Sequence, residues 1–144
     1  MHRYQLTTRI PVRGTDAHGS GEYLAPRGDR QHNGIDLACY PGTIVCAIRP
    51  GEVTKIGYPY DPAKHPEKGH LRYIQVTDPA GYALRYFYVQ ALATVGDIVE
   101  TGQPIGVSQA LGDIYPGITE HVHFEVKRGS AFMDPRNFLT GMAR

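Results

Sequence analysis

The stretch T119-E-H-V-H-F-E-V126 decides the reading of this chain. Val122, Phe124 and Val126 alternate with polar residues, which is the period of a half-buried strand. Side chains two apart point the same way, so His121 and His123 share one face and Phe124 and Val126 occupy the other. One histidine on a strand is usually packed and hydrogen-bonded. Two on one face ask for a shared partner.

The surroundings extend the β reading. Seventeen glycines and eleven prolines in 144 residues mean frequent turns. Between the turn signals "YPG", "RPG", "DPAG" and "TGQPIG" lie short runs rich in Tyr, Val, Ile and Thr. They are "NGIDLAC" (33–39), "TIVCAI" (43–48), "GEVTKIGY" (51–58), "RYIQVTD" (72–78), "ALRYFYVQ" (83–90), "IGVSQ" (105–109) and "HVHFEVK" (121–127). The expectation is an all-β single domain of antiparallel sheets over 1–144. Residues 1–31 form a strand near "RIPVR" and a polar arm, 32–126 the core, and 127–144 a tail. "VGDIVETGQPIG" (95–106) reads as a tight corner around a short apolar pair, and "DPAKHPEKGH" (61–70) as a surface loop. One helical turn is expected after Asp134, with Pro135 in the first helical position.

Charge and composition narrow the function classes. A net charge of +1 gives no bulk attraction for nucleic acid or anionic membrane. No apolar run is long enough to span a bilayer. The N-terminal "MHRYQLTTRIPVRG" has no apolar signal region, so delivery beyond the cytoplasm is expected to depend on another agent. Two cysteines, Cys39 and Cys46, are too few for a disulfide scaffold, and reduced thiols are favoured over a bridge. A monomer is expected.

The second informative stretch is "HNGID", His32 to Asp36. On a straight strand these two side chains would lie about 13 Å apart, at ~3.3 Å per residue. A kink at Gly34 would bring them together. His32, Asp36 and one of His121 and His123 then make a His/His/Asp donor set. Three protein ligands and one open position are the pattern of catalytic zinc. The remaining histidine of the pair would handle a proton. His2, His18, His65 and His70 read as loop or surface residues.

The blocks "HNGIDLACYPGTIVCAIRPGEV", "GDIVETGQPIG" and "HVHFEV" resemble, in order and spacing, the lysostaphin and LytM type of zinc metallopeptidase, family M23. The arm with "YFYV" and "YPGITEHVHFEV" is similar to the branch that includes a vertebrate leukocyte-derived chemotaxin. The resemblance implies a grooved antiparallel β-fold and one Zn²⁺ held by His32, Asp36 and His123. It implies His121 as general base and the peptides of bacterial peptidoglycan as substrate. It also exposes a departure: Tyr88 stands where these peptidases carry a histidine. A phenol can donate a hydrogen bond to a developing oxyanion but carries no positive charge. Tyr86 and Tyr115 are candidates to share that role at the substrate, and Arg30 and Arg85 to bind its carboxylates. The substitution leaves a second reading open, a zinc-bearing binding module without catalysis. A third is a metal-free barrel module, since "GDIVETGQPIG" also resembles lipoyl-type hairpins. Asp16 and His18 are the arm residues able to offer a further ligand. Metal binding should weaken as pH falls through about 6.5, the ordinary histidine value.

Overall fold

The computed structural model describes residues 13–16, 19–27 and 30–139. The arm forms two small hairpins: β1 (Thr15–Asp16) with β2 (Gly19–Ser20), and β3 (Pro26–Arg27) with β4 (Arg30–Gln31). The core strands follow as β5 (Ile35–Ala38), β6 (Ile44–Cys46), β7 (Gly51–Gly57), β8 (Tyr73–Thr77) and β9 (Ala83–Phe87). After them come β10 (Val89–Ala91), β11 (Ile98–Val99), β12 (Pro104–Ser108), β13 (His121–Arg128) and β14 (Ala131–Met133). All pair antiparallel.

The larger sheet runs β11-β7-β8-β9-β13, and both β5 and β14 pair with the outer edge of β13. β13 is eight residues long, so β5 takes its first half and β14 its second. A smaller sheet, β10-β12-β6, packs against it. Between them Ile35, Leu37, Val45, Ile74, Leu84, Tyr86, Ile105, Val122 and Phe124 form a closed core. Full burial of each such side chain contributes roughly 1.5–3 kcal/mol, and this load holds the opposite faces of the same strands in place.

The strands expected at residues 33–58, 72–90, 105–109 and 121–127 form as read, with one revision. "ALRYFYVQ" is two strands, not one. The chain leaves the large sheet after Phe87 and enters the small one at Val89. Tyr88 makes the corner in the left-handed region, with φ 69°. Its N–H donates to the Arg72 carbonyl at 2.7 Å, and its carbonyl accepts the Gln109 N–H at 2.8 Å. A non-glycine residue in that conformation costs on the order of 1–3 kcal/mol and persists only where neighbours fix it.

The 95–106 segment supplies β11, and the tail adds β14 before the short helix α1 (Arg136–Leu139). Asp134 caps that helix by accepting the Arg136 N–H at 3.0 Å. The cysteines are free thiols, with Cys46 buried. The strand expected near "RIPVR" lies largely outside the described residues.

Candidate metal centre

Three neighbouring strands build the site. β13 has β5 on one side and β9 on the other, with Asp36 directly opposite His123 and Phe87 opposite the same histidine. The alternation that sends Val122, Phe124 and Val126 inward turns His121, His123 and Glu125 outward. Asp36 and Arg85 join them from the flanking strands. His32 precedes β5, and the chain bends at Asn33–Gly34 to bring its ring back over Asp36. A side chain on Gly34 would not fit. Its Cβ would lie 2.4 Å from the Phe124 carbonyl oxygen and 2.7 Å from Cε1 of His123. Glycine is what allows the bend to press against β13.

The donor atoms converge. His32 Nε2 lies 2.9 Å from His123 Nδ1 and 3.0 Å from Asp36 Oδ1, and His123 Nδ1 lies 2.9 Å from the same oxygen. All three residues line a cleft of about 490 Å³.

The outward atoms of both rings settle their protonation. His32 Nδ1 is 2.9 Å from the Glu22 carbonyl oxygen, which only accepts, so that nitrogen carries the hydrogen. His123 Nε2 is 2.9 Å from Glu125 Oε1 and donates to it likewise. In the neutral rings, the inward nitrogens are therefore bare lone pairs facing each other and a carboxylate oxygen. Three acceptors at this distance need a proton or a cation between them. Zinc–donor bonds of about 2.0–2.1 Å in a tetrahedron place ligand atoms roughly 3.3 Å apart, close to what is found. Hydrogen-bond acceptors behind each ligating histidine are also what metal sites use to fix the tautomer. The donor set fits a divalent cation such as zinc.

Electrostatics agree. Burial would raise Asp36, but hydrogen bonds from His123 and His32 hold it well below the usual carboxylate range. Arg13 Nη1 donates to its other oxygen at 2.8 Å. Burial would lower His123, yet Asp36 and Glu125 outweigh it and push it up to about 9. A proton on His123 is thus the stand-in for a cation.

His121 differs from its neighbour. Its Nδ1 donates to the Thr119 carbonyl at 2.6 Å, and Nε2 keeps a lone pair 3.5 Å from Asp36 Oδ2. Burial lowers its pKa, only partly opposed by Asp36. It is a neutral base beside the triad. Tyr88 meets it edge to face, with centroids 5.6 Å apart. Burial pushes the Tyr88 phenol well above its usual range, so it stays a proton donor at any physiological pH.

Two expected substrate contacts move elsewhere. Tyr86 is fully buried, and its hydroxyl accepts the Ile48 N–H at 2.9 Å, so it is a core residue. It faces inward because it shares the parity of Leu84 on β9. Arg85 faces the site side but pairs with Glu125 at 2.9 Å, directly opposite it on β13. It backs the carboxylate that holds His123 and does not face the cleft. Tyr115 does line the cleft. Asp16 is engaged by Arg13 at 2.7 Å and by the Thr119 N–H at 2.8 Å, clipping the arm to the loop before β13 instead of offering a ligand. The Arg30 side chain and His18 lie outside the described residues.

Sequence reasoning missed Glu125 and Arg13. Glu125 was within reach, because the parity that pairs the histidines continues to it. Arg13 carried no signal: it is buried, 3% exposed, by an arm that reads as polar.

Antiparallel strands thus present three convergent donors fit for a metal ion, with an imidazole beside them. Comparison with known proteins gives that arrangement its family. The family model "Peptidase family M23" matches residues 30–135, and the chain belongs to that family. Leukocyte cell-derived chemotaxin-2 of Mus musculus is 32% identical over 114 residues, covering 79% of this chain and 72% of that protein. The catalytic domain of the antimicrobial peptidase lysostaphin from Staphylococcus simulans superposes with a TM-score of 0.64 and 26% identity, over 88% of this chain and 92% of that one. LytU gives a TM-score of 0.62 at 25% identity, over 88% and 82%.

Proposed function

We propose that the protein is a zinc-dependent endopeptidase that hydrolyses peptide bonds in bacterial peptidoglycan. The observation that carries this reading is the convergence of three donor atoms from His32, Asp36 and His123, a set that could hold a metal ion, beside His121. Membership of family M23 and the likeness to lysostaphin support it. Zinc bound there supplies Lewis acidity, polarising the scissile carbonyl and making water nucleophilic at neutral pH.

The chain's own residues do the rest. His121 Nε2 accepts the proton that the attacking water loses and returns it to the leaving amine. The Tyr88 hydroxyl donates to the oxygen on which negative charge develops. Such a donor contributes on the order of 10²–10³ in rate. Arg13 and Glu125 hold Asp36 and His123 in register. The substrate lies outside the cytoplasmic membrane, so the protein is delivered to the wall or carried on a virion.

Tyr88, and the similarity to a protein named as a chemotaxin, favour one other reading: a metal-bearing module that binds without cutting. Digestion of purified sacculi, Gram-negative and glycine-bridged, separates the two. Samples carry chelator, His121→Ala or Tyr88→Phe, and products are read by mass spectrometry. Chelator-sensitive cleavage that His121→Ala abolishes is expected. Zinc-loaded protein that binds sacculi and releases nothing would leave the binding module.

A further inference from the structure

His121 is held from outside its own strand. Its Nδ1 hydrogen goes to the Thr119 carbonyl at 2.6 Å, and the Thr119 N–H goes to Asp16 Oδ2 at 2.8 Å. Asp16 is in turn gripped by Arg13, whose Nε and Nη2 donate to its two oxygens at 2.9 and 2.7 Å. The third guanidinium nitrogen, Nη1, donates to Asp36 Oδ2 at 2.8 Å. A continuous set of contacts therefore runs from Asp36 to His121 through two residues of the arm.

Chemistry fixes the direction of every bond in it. Carbonyls and carboxylates only accept here, and a guanidinium and a backbone N–H only donate. The Thr119 carbonyl takes the hydrogen on Nδ1, which leaves Nε2 of the neutral ring as a lone pair. The fork between Arg13 and Asp16 adds geometric definition to charge. It is also shielded, with the two side chains 2% and 12% exposed.

The arm is seated for this task. The Arg13 N–H donates to the Asp36 carbonyl at 2.7 Å, the Asp36 N–H to the Gly21 carbonyl at 2.8 Å and the Gly21 N–H to the Arg13 carbonyl at 3.1 Å. A Cβ at Gly21 would lie 2.5 Å from the Arg13 Cβ and 3.0 Å from the Asp36 Cβ. Glycine at 21 is what lets the arm close on β5.

We propose that Asp16, acting through Thr119, is the positioning residue that fixes the tautomer and aim of His121, and that Arg13 ties this hold to Asp36, so that base and metal ligand are set by one clip. The effect on rate rests on the peptidase reading; the clip itself does not.

The test uses the zinc-loaded full chain with histidine labelled at the ring nitrogens. In wild type the hydrogen of His121 should sit on Nδ1, and the Thr119 amide should exchange slowly. In Asp16→Ala, and in Arg13→Lys, which keeps the charge but loses the fork, part of that hydrogen should move to Nε2 and shift both ring resonances. The resonances of His123, which is backed by Glu125 and not by the arm, should stay in place. On sacculi, Asp16→Ala should lower kcat about tenfold with little change in KM, as loss of an outer partner does. A wild-type hydrogen on Nε2, a fast-exchanging Thr119 amide, unmoved His121 resonances in either folded variant, or an equal shift at His123 would overturn the proposal. Undiminished kcat in Asp16→Ala, where wild type cuts, would overturn it too. If the resonances respond as expected while wild type cuts nothing, the clip stands and the peptidase reading alone fails.

Discussion

Raising the pH of the metal-free protein should weaken it across a range where most proteins are indifferent. His123 is pushed up to about 9 by Asp36 and Glu125, against an ordinary 6.5 in the unfolded chain. A base whose folded pKa is raised contributes stability that is complete below the unfolded value and is lost as pH rises through the folded one. The window therefore opens near 6.5 and closes near 9. At about 1.4 kcal/mol per pH unit for one proton, the loss between pH 6.5 and 8.5 is about 2 kcal/mol. Asp36 does not blur it, because its lowered pKa places its contribution wholly below the window. His121, also lowered, adds a small opposite change at the lower edge, where the unfolded imidazole finishes losing its proton. Cys39 and Cys46 are raised from 9.0, so their effect begins at its upper edge. Urea unfolding in chelator at pH 6.5, 7.5 and 8.5 measures the decline. Zinc-loaded protein, in which His123 is already unprotonated, should lack it. By linkage, zinc affinity should climb through the same window, since binding releases the His123 proton. The structure thus moves the pH dependence of metal binding upward from the 6.5 expected of an isolated imidazole. Metal-free stability that stays flat from pH 6.5 to 8.5 would refute the assignment of a shared proton to this triad.

Gly34→Ala should cost about 1–3 kcal/mol and loosen zinc, because its Cβ would lie 2.4 Å from the Phe124 carbonyl oxygen; paired melts with and without zinc report both effects. Glu125→Gln keeps the shape behind His123 but removes the charge, and should weaken zinc binding about 10- to 100-fold in a competition titration with a chromogenic chelator. Tyr86→Phe strands the Ile48 N–H and should cost about 1–3 kcal/mol in denaturant, with sacculus cleavage per folded molecule unchanged. A rate loss in Tyr86→Phe without destabilisation would return that residue to the substrate side.

Legibility in the sequence followed the range of the forces involved. Strand parity is local, so "HVHFEV" and "NGID" yielded the histidine face, the need for a bend at Gly34 and a His/His/Asp set with the choice between His121 and His123 left open, and Asp134 its helix cap. The same parity, carried one step further along β13 and applied to β9, would have found Glu125 and placed Tyr86 in the core. What parity cannot carry is partnership between segments distant in the chain. Arg13 meets Asp36 only because the arm lies along β5, with the Asp36 carbonyl accepting the Arg13 N–H at 2.7 Å. Arg85 looked free to bind a carboxylate until β9 paired with β13 and set Glu125 opposite it.

Tyr88 shows the limit most sharply. "RYFYV" has uninterrupted β propensity and no glycine, so nothing local announces a left-handed corner there. The corner exists because two sheets must be joined at that residue, and the Arg72 and Gln109 backbones hold it. A β-rich run that turns at a tyrosine instead of a glycine retains a side chain at the bend, and here that side chain is directed into the cleft beside His121. The strain of position 88 and the hydroxyl it delivers are two consequences of one placement. The role proposed for the Tyr88 hydroxyl rests on that placement, which sets its ring edge to face with His121 on the wall of the cleft.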